Sequence, residues 1–234
     1  MRTRCLLTIF ALLLPFTLLA QEEGRARIKV NGGFKLGFHA ATYNQTDFEI
    51  DSYEFNERII QSNKIGYSAS PFIRISKGKY YIQTEATMSL SRHYFEFNDL
   101  REENTPQNTP ANKPEYKLTT LCVHVPLLFG YEFIQSGYYG MSFFTGPNVK
   151  FVFTAHDRQE FKNFRYKDLE EQLHPSVFYW KVGLGVKISN FCFDFTYDIG
   201  LSSNTKGLVS PRTEKKFKAE RSDNLLSFSV GIIF

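Results

Sequence analysis

Cysteine is scarce in this sequence: there are three in 234 residues, and only Cys122 and Cys192 lie beyond residue 20. Two cysteines do not make the disulfide framework of a small secreted scaffold, and no cysteine–histidine spacing typical of zinc accompanies them. We interpret both as small buried side chains rather than as a bridge or a metal site. No cofactor is therefore expected.

Long apolar runs are missing after residue 20, so no later segment is able to cross a bilayer as a helix. The one long apolar run covers residues 5–20, follows Arg2 and Arg4, and ends in the small residue Ala20. A charged start, a short apolar stretch and a small last residue are typical of a secretion signal. We expect a signal peptide over residues 1–20, and an N-terminal membrane helix is the alternative.

An excess of charge of one sign is also absent. The formal net charge is +4, and removing residues 1–20 leaves 26 basic against 24 acidic residues, a net charge of +2. This balance predicts no nucleic-acid partner. With 24 Phe and 13 Tyr, the chain is too aromatic to be a disordered protein.

Period-two alternation is the dominant pattern of the chain. It occupies eight stretches: residues 33–43, 66–76, 80–90, 118–131, 138–153, 177–188, 191–200 and 226–234. Alternate residues of a strand point to opposite faces of a sheet, and one face here is apolar. The other face carries glycine, serine, threonine and isolated charges of both signs, which is what the packed polar interior of a small membrane barrel needs.

The connections between these stretches alternate in length. Those at residues 44–65, 91–117, 154–176 and 201–222 are long, and those at 76–79, 132–137 and 189–190 are short. This order predicts an all-β fold: an eight-stranded antiparallel up-and-down transmembrane β-barrel over residues 33–234, with short periplasmic turns and long outer loops. Residues 21–32 would be a short periplasmic segment, and both termini would be periplasmic. A ten-stranded barrel is the alternative.

Three prolines fall inside the predicted strands, at Pro71, Pro126 and Pro147. A closed barrel has no edge at which a missing N–H group is harmless. We therefore expect each proline to mark a bulge or a break.

Five short motifs occur in order along the strands: Gly33-Phe34-Lys35-Leu36-Gly37, Tyr81-Ile82-Gln83-Thr84-Glu85, Val123-His124-Val125-Pro126-Leu127-Leu128, Tyr197-Asp198-Ile199-Gly200-Leu201 and Val230-Gly231-Ile232-Ile233-Phe234. Together they resemble the small outer-membrane β-barrel family that is widespread in Bacteroidota and often labelled PorT-like. The resemblance implies an integral outer-membrane protein of a Gram-negative bacterium, in contact with outer-membrane lipid and lipopolysaccharide.

The chain ends in Phe234 on an alternating strand, which resembles the C-terminal signal read by the barrel-assembly machinery. The resemblance thus implies that machinery as a partner during biogenesis. The name-giving member of the family is linked to type IX secretion, but no motif here singles out that role. An accessory part in a secretion or export system is kept as an alternative.

The polar faces of the strands supply the candidate site. An eight-stranded barrel is just wide enough for side chains to fill it, and buried charges need partners. We predict a structural salt-bridge and hydrogen-bond network in the lumen, with an ion or proton pathway as the alternative. Its members are Lys35, His39, Arg74, Gln83, Glu85, His124, Lys181, Lys187, Asp194 and Asp198.

The outer loops give little sign of catalysis. His93, His156-Asp157 and His174 lie near the predicted outer strand ends, but no nucleophile motif or paired acids accompany them. We predict a non-enzymatic protein with a structural or partner-binding role through its outer loops, and a rim enzyme acting on lipid or peptide is an alternative. Residues 212–221, with five basic residues against two acidic, could attract anionic lipopolysaccharide, although a solvated loop is the simpler interpretation.

Overall fold

A computed structural model describes residues 27–48, 53–55, 64–99, 114–154, 159–162, 170–210 and 215–234. The fold in these ranges is all-β, and none of their residues forms a helix long and apolar enough to span a bilayer. The strands are β1 (Lys29–Phe48), β2 (Tyr53–Phe55), β3 (Lys64–Lys77), β4 (Tyr80–Glu85), β5 (Thr87–Asp99), β6 (Glu115–Ser136), β7 (Tyr139–Thr154), β8 (Gln159–Lys162), β9 (Glu170–Leu173), β10 (Ser176–Ile188), β11 (Phe191–Gly200), β12 (Thr205–Ser210), β13 (Lys215–Phe217) and β14 (Ala219–Ile233).

The long strands close into a ring because β1 pairs with β3 on one side and with β14 on the other. The order around the ring is β1, β3, β4 with β5, β6, β7, β10, β11 and β14, and every pair is antiparallel. β4 and β5 are two parts of one barrel strand, separated at Ala86. The predicted eight-stranded up-and-down barrel is confirmed, and in the described part of the chain the ring has eight strands rather than ten.

The short connections all lie at one end of the barrel, which we call the turn end. Each is a two-residue turn whose first residue has positive φ: Gly78 at 61°, Gly137 at 57° and Ser189 at 55°. Tight hairpins require this left-handed conformation, which glycine adopts at least cost. The second turn is shorter than the predicted 132–137 because β6 continues to Ser136.

The long connections lie at the opposite end, which we call the loop end. Their short strands extend the barrel outward: β2 pairs with β5, and β8 pairs with β6. β9, β12 and β13 form a separate small sheet. Loop length is therefore sorted by end, as the sequence predicts.

Most strands extend beyond their predicted bounds, as β1, β3, β5, β6 and β14 do. β1 begins at Lys29 rather than residue 33, because residues 29–31 pair with residues 76–74 of β3. β7 continues through Gly146 and Pro147, where it stays paired with β10 but not with β6. A Cβ atom at Gly146 would lie 2.0 Å from the Leu127 carbonyl oxygen, so only glycine permits the close approach of β6 and β7 there.

The expectation that each proline marks a bulge or a break is confirmed as a break rather than a bulge. Pro71, Pro126 and Pro147 each keep a partner on one side of the strand. On the other side the ladder skips residues 70–71, 125–126 and 146–147 and resumes in the same register. Pro71 lies opposite the break at Ala86, and its carbonyl oxygen still accepts a hydrogen bond from the Ala86 N–H group. A proline loses only its donor, so the acceptor half of the pairing survives.

The two faces of the barrel wall are opposite in character. Outward side chains are apolar and exposed, as in Leu36, Phe178 and Phe195 at 59%, 54% and 51%. An apolar surface of this extent is far too large for a water-soluble monomer, and it matches the lipid-facing band of a membrane barrel. Aromatic residues lie beside the turns, with Tyr138 and Tyr139 the most exposed among them.

Candidate functional site

The polar side chains predicted to line the lumen lie inside the barrel. All ten point to the inside of the ring, nine of them are buried, and Lys187 is half-buried. They do not form one continuous network. Lys35, Arg74, Gln83, Glu85 and Asp194 are in contact near the turn end, whereas His124, Lys181 and Asp198 lie in a second group farther along the barrel.

The first group, which we call the turn-side network, is centred on Lys35. Its Nζ atom donates to Glu85 Oε1 at 2.5 Å and to Asp194 Oδ2 at 2.8 Å. Gln83 Nε2 donates to the same Glu85 oxygen at 2.5 Å, and Arg74 Nε donates to Gln83 Oε1 at 2.6 Å. Two cations thus balance two carboxylates, which is the condition for burying four charges together.

Aromatic rings close the space around Arg74. Its guanidinium lies 4.1 Å from the centre of the Tyr81 ring, and the Tyr81 hydroxyl donates to Ser142 Oγ at 3.1 Å. A Cβ atom at Gly130 would lie 2.0 Å from the Tyr81 ring, so this glycine makes room for it. The stacked ring and guanidinium pack the interior at this level, between the cavity lined by Lys35 and the turn end.

The second group lies at mid-height. Lys181 Nζ is 3.3 Å from Asp198 Oδ2, and Asn148 Nδ2 donates to Asp198 Oδ1 at 2.8 Å. His124 Nε2 lies 3.1 Å from Ser89 Oγ, and in the same region His39 Nε2 lies 2.8 Å from Ser91 Oγ. The histidines are thus bound to hydroxyl groups rather than to carboxylates.

A polar cavity of about 50 Å³ separates the two groups and is lined by Lys35, Glu85, His124, Lys181 and Asp194 among others. This volume is enough for only a few water molecules. The interior is therefore packed like that of other eight-stranded barrels and is too narrow for a solute to pass.

A third cluster, at the loop end, was not among the predicted residues. Tyr179 donates to Asp223 Oδ1 at 2.6 Å, and Asn204 Nδ2 donates to the same oxygen at 2.7 Å. Lys150 Nζ donates to the Tyr179 hydroxyl at 2.7 Å. Tyr179, Lys150 and Asp223 continue the inward alternation of their strands, so the period-two signal could have found them, whereas Asn204 belongs to a loop and has no such signal.

A buried carboxylate ties the outer loops to the wall. Glu171 of β9 accepts from the Tyr116 hydroxyl at 2.5 Å and from the Thr205 hydroxyl, and lies 3.4 Å from Arg221 Nη2. The Gln159 side chain bonds both backbone groups of Glu171, at 2.8 and 2.7 Å. These five residues, which we call the cap network, join β6, β8, β9, β12 and β14.

Of the outer candidates for catalysis, the described residues include only His93 and His174, and these two have different partners. His93 is buried inside the barrel, with Nε2 3.5 Å from Thr120 Oγ1. The His174 N–H group donates to the Asn204 carbonyl oxygen, and His156-Asp157 lies outside the described residues. In the described ranges, no three His, Cys, Asp or Glu side chains are arranged to hold a metal ion.

The structure also bears on the basic segment 212–221 and on the two cysteines. Arg221, counted in the basic segment 212–221, is buried beside Glu171 and faces the barrel interior, so it does not contribute to a surface for lipopolysaccharide. Residues 211–214 lie outside the described residues. Cys122 and Cys192 are both buried and form no disulfide, in line with their interpretation as small packed side chains.

Comparison with protein families gives a match over most of the chain. Residues 19–206 match the family described as "Outer membrane protein beta-barrel domain". No curated protein matches the chain.

Among solved structures, the chain is similar to Ail, the attachment invasion locus protein of Yersinia pestis, in complex with the heparin analogue sucrose octasulfate. The two sequences are 9% identical, the match covers 88% of this chain and 99% of that chain, and the TM-score is 0.39. The chain is also similar to Neisserial surface protein A. The sequences are 11% identical, the match covers 88% of this chain and 98% of that chain, and the TM-score is 0.40. Similarities of this size carry no argument about function.

Proposed function

The chain belongs to the outer membrane protein beta-barrel domain family, and from that premise we propose that it is a non-enzymatic outer-membrane barrel that binds a partner through its loop end. Its lumen network serves structure rather than transport. The proposed partner is a surface or extracellular component, and outer-membrane lipid and lipopolysaccharide surround the wall.

The cap network is the observation that carries this proposal. The Glu171 side chain is 0% exposed, and its contacts come from four other strands. Burying a carboxylate costs free energy unless it is fully hydrogen-bonded, and solvated loops need no such anchor. An anchored cap keeps the outer surface in one shape, and a preorganised surface loses less entropy when it binds a partner.

The structural role of the lumen is supported by its pairing. Lys35 lies between Glu85 and Asp194, and Lys181 lies beside Asp198. A transport pathway needs groups that exchange partners along a continuous wet channel, whereas these charges are paired and the cavity between them has room for only a few water molecules. We expect the purified barrel to produce no ion-conductance steps in a planar bilayer.

The route to the membrane is part of the same proposal. Residues 1–20 act as a signal peptide, the segment between residue 20 and β1 is periplasmic, and the barrel that begins with β1 at Lys29 is inserted by the barrel-assembly machinery, which reads Phe234. Both termini are then periplasmic. The ordered motifs of the strands support a PorT-like lineage in Bacteroidota. Phe234 is 74% exposed, which leaves its ring accessible at the end of the last strand.

Site-specific photo-crosslinking in cells tests the proposed function. A photoreactive amino acid replaces the exposed Lys206 of β12 or Lys216 of β13. The outward apolar residue Leu36 and the turn-end residue Lys77 are the matched positions. Binding at the loop end predicts a defined protein or glycan adduct from Lys206 or Lys216 and only lipid from Leu36. Every variant is first checked for outer-membrane fractionation and for a mobility shift between boiled and unboiled samples.

An accessory role in secretion or export is the second candidate, favoured by the PorT-like motifs. It predicts protein adducts from Lys77 rather than from the loop end, together with cargo stranded in the periplasm of gene-deleted cells. Lipid adducts alone from all four positions would contradict the partner-binding proposal. A rim enzyme would instead require a loop substitution such as His174→Ala to abolish an activity while the barrel still folds.

A further inference from the structure

The turn end of the barrel opens into a cup that the loop-end proposal does not use. The cup has a volume of about 480 Å³. Four cationic side chains line it: Arg27, Lys29, Arg74 and Lys187. Glu132 is its one acidic side chain among the described residues, so the lining carries a clear excess of positive charge.

The cup is blind. Its floor is the turn-side network, where Arg74 is bound to Gln83 and stacked on Tyr81. A ligand entering from the turn end therefore stops at this level and does not continue into the barrel. The cup is a binding pocket rather than the mouth of a channel.

The cations of the cup differ in how they are paired. Arg74 is buried and its Nη1 atom lies 3.9 Å from Glu132 Oε1. Lys29 and Arg27 are exposed and Lys187 is half-buried, and none of the three forms an ion pair within the described ranges. These three charges are available to an anionic ligand.

The available cations lie on opposite sides of the cup. Lys29 belongs to β1 and Lys187 to β10, and β14 and β11 stand between these strands in the ring. Three interstrand spacings make about 14 Å along the wall, and the distance across the mouth is shorter. A ligand with two or more anionic groups can contact the cations on both sides at once, so the cup suits such a ligand.

The remaining lining suits a peptide. Asn31, Ser76 and Gln135 contribute amide and hydroxyl groups between the cations. Such groups bond the N–H and C=O groups of a peptide backbone, while lysine and arginine bind carboxylates. We propose that the turn-end cup is a binding site for an acidic peptide segment with two or more carboxylates.

Binding to the full chain, extracted from membranes in detergent, tests this proposal. The probe is the fluorescently labelled peptide Glu-Gly-Gly-Glu, with Gln-Gly-Gly-Gln as its neutral match, measured by anisotropy at low and high salt. The wild-type chain is expected to bind the acidic peptide, to ignore the neutral one, and to lose affinity as salt rises.

A pair of charge-matched variants locates the site. Lys29→Gln with Lys187→Gln removes two cations from the cup, and we expect about tenfold weaker binding, the loss of two partly exposed ion pairs. Lys77→Gln with Lys79→Gln removes two cations from the same end but outside the cup, and affinity should change by less than about twofold. Both variants keep the mobility shift of the folded barrel.

Three results would overturn the proposal. Equal weakening in both double variants would mean diffuse attraction to the charged end rather than a site. Tight binding of inorganic tripolyphosphate with none of the acidic peptide would exclude the peptide assignment. No binding of the acidic peptide to the wild-type chain at millimolar concentration would exclude the site. Each of these results leaves the loop-end proposal untouched, because the crosslinking positions there are at the opposite end.

Discussion

The turn-side network and the cap network both bury charged side chains by pairing them, but they take their residues from different parts of the fold. All five members of the turn-side network lie on long barrel strands, at inward positions of a regular alternation. The cap network takes Tyr116 and Arg221 from barrel strands but Gln159, Glu171 and Thr205 from short loop strands. The first network holds the wall together, whereas the second holds loops onto the wall. Disrupting the turn-side network should therefore lower the stability of the whole barrel, whereas disrupting the cap network should loosen only the outer loops.

The largest effect is expected from Lys35→Met. The substitution leaves Glu85 and Asp194 as two buried carboxylates without their shared cation. Removing one partner of a buried ion pair costs about 3–5 kcal/mol. We expect this loss in the free energy of unfolding, measured by denaturant titration in lipid and followed by the fluorescence of Trp180, the single tryptophan of the chain.

A matched variant separates lost charge balance from lost packing. Adding Glu85→Gln and Asp194→Asn to Lys35→Met removes the unbalanced charges, and most of the stability should return. If Lys35→Met alone unfolds like the wild-type chain, the turn-side network does not hold the wall and the comparison between the two networks fails.

A charge on the outside of the wall should cost nearly as much as a missing charge inside it. Leu184 is 50% exposed on the outward face and pairs with Phe195, next to Asp194 of the turn-side network. Leu184→Arg places a cation in lipid at that level, and we expect a loss of about 2–4 kcal/mol. The measurement is the same titration, with Leu184→Met as the control of similar size. A neutral result would show that this part of the wall is not within the lipid.

A smaller and local effect is expected from Glu171→Gln. The charge that balances Arg221 is lost and the bonds from Tyr116 and Thr205 weaken, at about 1.5–3 kcal/mol for hydrogen bonds to a charged group. Amide hydrogen exchange should accelerate in β9 and β12, with the denaturant midpoint of the barrel nearly unchanged. A fall in global stability as large as that of Lys35→Met would erase the distinction between cap and wall.

The smallest effect is expected from Tyr179→Phe. The hydroxyl that donates to Asp223 and accepts from Lys150 disappears, while the ring remains. Loss of these two bonds, with the ring still filling its site and Asn204 still donating to Asp223, should cost about 1–2 kcal/mol in unfolding free energy. Tyr80→Phe is the control, since the Tyr80 ring packs on Phe129 at the turn end, and it should change stability by less than about 0.5 kcal/mol. Equal costs for the two variants would mean that the Tyr179 hydroxyl adds nothing beyond packing.

The contrast between the networks also explains which parts the sequence could predict. Once a strand is identified, the alternation predicts which of its residues face inward. The inward positions of Lys35 and Asp194 could therefore be predicted from the sequence. Their partnership did not, because the two residues are 159 positions apart and parity gives no register between distant strands. The strand count was predictable because turns and loops alternate in length.

Loop residues were beyond the pattern. Glu171 lies in a four-residue strand and Asn204 in no strand, and so short a segment has no measurable period. The strands also extend farther toward the loop end than the apolar alternation suggests, because wall above the lipid has no need of apolar outward residues. For this reason Tyr116 and Arg221 were not among the predicted interior residues, although both lie on barrel strands.

Closure of the ring has a consequence for the order of events in folding. Gly33 pairs with Ile233, so the seam between β1 and β14 joins residues 200 positions apart. Loop-closure entropy makes such contacts late and slow, and the last strand must be available before they form. Until then the sheet has two open edges that invite pairing with other chains. Folding therefore cannot proceed to completion while the chain is still emerging, and protection of these two edges decides whether it inserts or aggregates.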